Sequence, residues 1–414
     1  MEIFRRSLCF FLAVVSVSVF AETAPKALFL TWQQHPESTI TVCWVTPDRQ
    51  ESDAIAYCCQ ENGRWSVQSA TTRKLPGNNP YFIHTGEITH LNPNSSYRFH
   101  IGQYEKTYRF HTLPATLQQP IKFVAGGDMY HDDLKTLHMT NQQAARTAPD
   151  FALVGGDIAY ASGLSRGFGS FFNKLTGKSL SNPAPQEFDR WLEWLQAWSE
   201  DMVTPQGDLI PLLPVLGNHD TMGDFDQQPA NAPFFYALFP MPGPQGYNVL
   251  DFGNYMTLVL LDSGHTHPIC GQQTEWLDQT LRAREARPTK FALYHVPAYP
   301  SYRAYTYPFS TQVRQCWTPL FDRYHLTMAF ENHDHDYKRT RPLRGGVVDP
   351  QGVLYVGDGA WGVKNPRQPR KDKNHWYVAK SAPARHFLLV EIGPEGRTLT
   401  AISSDGVVFD TLKF

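Results

Sequence analysis

The chain has 414 residues, 42% of them apolar, 13% aromatic and 18% charged. That is long enough for about two or three domains and too apolar for wholesale disorder. The formal net charge is −2 and the charges read as scattered, with no basic tract, which argues against nucleic acid and anionic membrane as partners.

Arg5 and Arg6 precede an apolar run from Leu8 to Phe20 that closes on small Ala21 before polar Glu22. This is the order of a cleaved secretory signal, expected over 1–21, and the run is shorter than the ~20 residues of a membrane span. Arg5-Arg6 is also compatible with twin-arginine export. The mature chain is therefore expected to be secreted or periplasmic and free of the membrane. Beyond the signal lie Cys43, Cys58, Cys59, Cys270 and Cys316, an odd set that allows at most two bridges, whose pairing the spacing does not reveal.

Residues 22–114 alternate in short β-branched and aromatic runs such as Thr39–Val45 and Tyr97–Ile101, broken by turn clusters such as Pro76-Gly77-Asn78-Asn79. About seven such strands predict an antiparallel sandwich. Leu91 to Tyr97 looks like the tyrosine corner of fibronectin type III domains. The stretch 115–120 reads as a linker. From 121 to 414 buried strands (121–125, 151–154, 255–261, 291–294, 354–356) alternate with helical segments, predicting an α/β domain. Trp191, Trp194, Leu195 and Trp198 fall at helical spacing and read as a core-facing stripe rather than a binding platform.

Metal-seeking side chains stand directly after these strands, where ligands of α/β sheets gather. They are Asp128, Asp157 with Tyr160, Asn218-His219-Asp220, His295, and His333 with His335. Any one of them is ordinarily a turn residue, a cap or a satisfied histidine. Together they offer two carboxylates, a phenol, an amide and three imidazoles, enough for two metals. The anionic oxygens of Asp128, Asp157 and Tyr160 with one imidazole suit a trivalent ion. Neutral Asn218 with two imidazoles, sharing Asp157, suits a divalent one.

At these residues the chain resembles the purple acid phosphatases, whose five blocks run Asp-x-Gly, Gly-Asp-x-x-Tyr, Gly-Asn-His-Asp/Glu, Val-x-x-His and Gly-His-x-His. The second and third are intact here as Gly156–Tyr160 and Gly217–Asp220. The resemblance runs from about Ala27 to near the C-terminus, and the sandwich looks like that of the long-chain plant type. It implies that Asp128, Asp157, Tyr160 and His335 bind Fe(III), and that Asp157, Asn218, His295 and His333 bind divalent Zn, Fe or Mn. It further implies that metal-held hydroxide attacks a small phosphate monoester while His219 acts as general acid. Asp220 would be either the partner of that imidazole or a turn cap.

Three positions depart from the blocks: Tyr130 and Asn332 stand where the family has glycine, and Ala292 where it has valine. Tyr130 is the most consequential, since a second phenol near the first metal would compete with Tyr160 or narrow the cleft. The segment 161–208, with Phe171 and Phe172, reads as a lid or a surface insert. His265 and His267 read as solvated or substrate-facing, and two Cys-x5-Arg matches (Cys43, Cys58) lie in strands and carry no cysteine chemistry. The rival functions are a phosphodiesterase or nucleotidase on the same metals, and an extracellular binding protein with structural metals.

Overall fold

The computed structural model describes residues 24–49, 53–60, 63–162, 186–241, 246–371 and 373–414. The expected signal and the heart of the 161–208 segment, including Phe171 and Phe172, lie outside these residues.

Residues 27–111 build a sandwich of two four-stranded antiparallel sheets. One orders its strands Ala27–Thr31, Ile40–Thr46, Phe82–Ile88, Thr71–Lys74; the other runs Trp65–Ser69, Ala54–Cys59, Ser96–Ile101, Tyr108–His111. The count is eight strands rather than seven, because the chain crosses from one sheet to the other between Ser69 and Thr71. The Tyr97 hydroxyl accepts from the Asn92 N–H at 2.8 Å, which is the bond of a tyrosine corner.

Two further sheets face each other in the second domain. The first contains Leu212–Pro214, Phe151–Val154 and Ile121–Gly126 in parallel, then an antiparallel run from His386 to Lys413. The second holds the parallel strands Met256–Leu260, Lys290–Leu293, Met328–Glu331 and Leu354–Gly357 at its centre. Period-two alternation explains the layering: Phe123, Phe151 and Leu153 point inward, where Phe123 meets Phe291 and Phe330 edge-on at 5.7 Å, while Val124 and Val154 point outward to helices. Helices Leu134–Arg146 and Phe188–Asp201 cover the first sheet, and Gln272–Arg282, Pro308–Cys316 and Thr318–Arg323 the second. One disulfide forms among the described residues, Cys270–Cys316, tying the loop just before Gln272–Arg282 to the end of Pro308–Cys316; Cys43, Cys58 and Cys59 are buried thiols.

The tryptophan stripe is core, as its spacing predicts: Trp191, Trp194 and Trp198 are buried, and the same cluster includes Phe29 and Val45 of the sandwich. Ser199 Oγ completes the join by accepting from the Leu28 N–H at 2.9 Å and donating to its carbonyl at 2.8 Å. Trp32 does the same on the other side, meeting Phe151 and Phe252 edge-on at 5.8 and 6.1 Å. Trp32→Ala is therefore expected to destabilise the chain by about 3–5 kcal/mol in urea unfolding. A change below about 1 kcal/mol would show that the domains are stable independently of this contact.

Candidate metal centre

Every candidate ligand stands on a loop leaving the C-terminal end of a parallel strand, and hydrogen bonds join these loops across the two sheets. The N–H groups of Asp128, Met129 and Tyr130 donate to the carbonyls of Gly156, Asp157 and Ile158 at 2.9 to 3.0 Å. On the other sheet Asn332 N–H donates to the His295 carbonyl at 2.9 Å and His335 N–H to that of Asp358 at 2.7 Å. Asp128, Asp157, Tyr160, His333 and His335 all have positive φ, between 48° and 80°. Such backbone is unfavourable for non-glycine residues and concentrates where structure holds a site in place.

Two clusters result. Asp128, Asp157 and His335 form one, and Asp157, His295 and His333 the other; within each, one potential ligand atom per residue lies within 4.8 Å of the rest. Tyr160 joins the first, its hydroxyl 2.9 Å from Asp128 Oδ1 and 3.1 Å from His335 Nε2. Asn218 joins the second, its Oδ1 3.3 Å from His295 Nε2, which is 3.0 Å from His333 Nδ1. None of the seven residues is more than 6% exposed. His295 Nδ1 is fixed by the Gly155 carbonyl at 2.8 Å, which turns Nε2 inward.

The donor set fits cations. Asp157 Oδ2 and His333 Nε2 are buried with no hydrogen-bond partner, a costly arrangement for a closed protein interior. Burial, then the charges of Asp128 and Asp157, push the Tyr160 phenol well above its usual range, a repulsion that a cation between them reverses. Burial lowers His335 to about 4 and His333 well below the usual histidine range, leaving both imidazoles in the neutral, ligating form. Burial works the same way on His295, but the adjacent Asp157 charge overrides it and raises that imidazole to about 9.

His219 borders the pair. Its N–H donates to Asp157 Oδ1 at 2.8 Å, its ring stacks on Tyr160 with centroids 4.6 Å apart, and its Nδ1 lies 3.3 Å from Ser162 Oγ. Asp220 takes the turn-cap role: its two oxygens accept from Ile158 N–H and Gly217 N–H, both at 2.9 Å. A Cβ on Gly217 would sit 2.2 Å from Asp157 Oδ1, so this close approach of the loop requires glycine.

The departures also find their places. Tyr130 turns its phenol away, donating to Glu193 Oε2 at 2.8 Å with the Arg190 guanidinium 3.8 Å from its ring, so it packs under the helix and does not compete with Tyr160. Asn332 fills the space over Gly127 and Gly155 and donates from Nδ2 to the Tyr294 carbonyl at 3.0 Å, bracing the His295 and His333 loops. Ala292 is a buried strand residue on the helix-facing side.

The expectation of a solvated or substrate-facing His265 is corrected, for this side chain is fully buried. It stacks on Phe225 and lies 5.5 Å, centroid to centroid, from His295. The loop is folded inward by Asp262, which accepts from the N–H groups of His265, Thr266 and His267 at 2.7 to 3.0 Å. His131, not singled out in the sequence, stands 4.7 Å from His335 and 5.0 Å from Tyr160, centroid to centroid.

The sequence pattern described as "Calcineurin-like phosphoesterase" matches residues 121–337, and that described as "Purple acid Phosphatase, N-terminal domain" matches 25–112. The chain belongs to the purple acid phosphatase family of calcineurin-like phosphoesterases. Purple acid phosphatase 21 of Arabidopsis thaliana is 26% identical over 70% of this chain and 63% of its own length. Acid phosphatase type 7 of Mus musculus is 21% identical over 84% of this chain and 81% of its own. The chain spans 63% of the length of the first of these relatives. Among solved structures, a purple acid phosphatase from yellow lupin (Lupinus luteus) seeds superposes with a TM-score of 0.72 at 17% identity, covering 93% of this chain and 73% of that one. PhoD superposes with a TM-score of 0.64 at 10% identity, covering 94% and 89%. Family membership implies a binuclear centre, which the two His/Asp clusters match.

Proposed function

We propose that this chain is a two-metal acid phosphatase acting on small phosphate monoesters. The observation that carries the reading is Asp157, which belongs to both clusters and offers a buried oxygen without a hydrogen-bond partner. Asp128, Asp157, Tyr160 and His335 would hold Fe(III), and Asp157, Asn218, His295 and His333 divalent Zn, Fe or Mn. When bound, the pair supplies an activated water and neutralises charge on the phosphoryl oxygens. Asn218 is oriented for its part by Asp224, whose Oδ1 accepts from Nδ2 at 3.2 Å. His219, held by Asp157 and stacked on Tyr160, presents Nε2 to the departing alcohol as general acid. Asp220 keeps the loop in place and acts through position alone.

Export is part of the proposal, supported by the apolar run ending at Ala21. Among the described residues no helix is long and apolar enough to cross a membrane.

Elemental analysis with a visible spectrum and a monoester assay tests this reading. Two metals per chain, one of them iron, are expected, with a violet colour from Tyr160 phenolate charge transfer. Tyr160→Phe should bleach the colour, and Tyr130→Phe should keep it because that phenol is bonded to Glu193. Bleaching by Tyr130→Phe alone would reverse the assignment, and a single metal per native chain would refute the mechanism. Faster turnover of bis(p-nitrophenyl) phosphate than of the monoester would make the enzyme a diesterase.

A further inference from the structure

The expectation that the chain lacks a basic tract does not hold at residues 364–373. That segment reads Lys-Asn-Pro-Arg-Gln-Pro-Arg-Lys-Asp-Lys, with five basic residues and one acidic. Lys364 is occupied elsewhere, its Nζ 3.7 Å from Asp133 and its N–H bonded to Asp132. Arg303 nearby is likewise committed, paired with Asp334 and donating to the His333 carbonyl.

Arg367 is different. Its N–H donates to the His335 carbonyl at 2.9 Å, which anchors it to the turn carrying two candidate ligands. Its side chain is half-buried, and Nη1 makes only long contacts, 3.4 and 3.5 Å, to the carbonyls of His333 and Asp334. Among the described residues no carboxylate pairs with it. The guanidinium lies 5.1 Å from the ring centroid of Tyr302, and that of exposed Arg370 lies 6.0 Å from the same ring. Arg370 N–H is bonded to the Ser301 carbonyl at 2.8 Å, so both arginines are anchored through their backbones.

A charge run on a surface is ordinarily just solvated. A half-buried guanidinium whose own backbone is bonded to the His333–His335 turn is instead held beside the centre. Asp128 and Asp157 would offset part of the charge of two metals, and a guanidinium beside them with no carboxylate partner among the described residues is best stabilised by a further anion. The scissile phosphoryl group would sit on the metals, which leaves that place to a second group.

We propose that Arg367 and Arg370, flanking Tyr302, form a subsite for a second phosphoryl group, which directs the enzyme to multiply phosphorylated small molecules. The inference rests on the phosphatase reading above. Guanidinium groups suit this role because their planar donors grip phosphate in pairs. The patch is too short for a nucleic acid backbone, whose binding draws on many phosphate contacts.

The test compares fructose 1,6-bisphosphate with fructose 6-phosphate on metal-loaded enzyme at low salt. The ratio of their kcat/KM values is expected to favour the bisphosphate by roughly 10-fold or more. Arg367→Gln and Arg370→Gln should each cut that ratio by roughly 5-fold, chiefly through KM for the bisphosphate. Metal content is measured alongside, and Arg370→Gln decides the matter if Arg367→Gln disturbs the His333–His335 turn. A wild-type ratio near one, or a ratio unchanged in Arg370→Gln, overturns the subsite while hydrolysis of fructose 6-phosphate preserves the phosphatase. Inactivity on both esters overturns the phosphatase and the subsite with it.

Discussion

Asp157→Asn is expected to release both metals and to lower phosphatase activity by more than roughly 10³-fold, since charge stabilisation at the phosphoryl group is lost with them. The asparagine keeps an oxygen for the His219 N–H bond at 2.8 Å, so the loop stays in place and only the shared negative charge is removed. That charge is the reason for choosing this position. Burial alone would favour the neutral acid, yet the charge of His295, then that of His219, hold the carboxyl well below its usual range, and it stays ionised between the two clusters. Asp128→Asn, which touches one cluster only, should release chiefly iron. Elemental analysis of both variants decides the matter. Two metals retained in Asp157→Asn, with activity within about tenfold of wild type, would mean that Asp157 does not bridge.

The grouping of the candidate ligands was legible because they obey a local rule. Asp128, Asp157, Asn218, His295 and His333 each follow an apolar strand by a few residues, and apolar runs and their endings can be read without coordinates. Where the rule stops, so does the reading. Tyr130 is two residues from Asp128, but its direction is set by a backbone turn at φ 57° and by Glu193, which is 63 residues away. The reading of His265 as solvated or substrate-facing rests on its place in a loop after a strand; Asp262 turns that loop inward, and one carboxylate accepting three backbone N–H groups has no sequence signature. The pairing of Cys270 with Cys316 depends on a loop and a helix end, 46 residues apart in sequence, bringing their Cα atoms to 5.5 Å. Arg367 was missed for a different reason, since averaging charge over the chain concealed a local run of basic residues, of which Arg367 is bonded through its N–H to the His335 carbonyl.

His219→Ala separates proton donation from phosphate positioning. A general acid matters most when the leaving group cannot depart as an anion, and such donors contribute roughly 10²–10⁴-fold. An alkoxide needs the proton; p-nitrophenolate leaves readily without it. The geometry allows the imidazole to be removed cleanly, because the bond to Asp157 is made by the His219 backbone and survives the substitution. Both metals should therefore remain. Activity on glycerol phosphate should fall by roughly 10²-fold or more, and activity on p-nitrophenyl phosphate by distinctly less. Loss of the ring also uncovers one face of Tyr160, on which it stacks at 4.6 Å. A shift of the phenolate band without loss of iron is the spectroscopic mark of that contact. If His219 only positions the phosphoryl group, both substrates present the same group and must lose alike. Equal losses on the two esters, with metal content unchanged, would remove the acid role and leave the two-metal hydrolase standing.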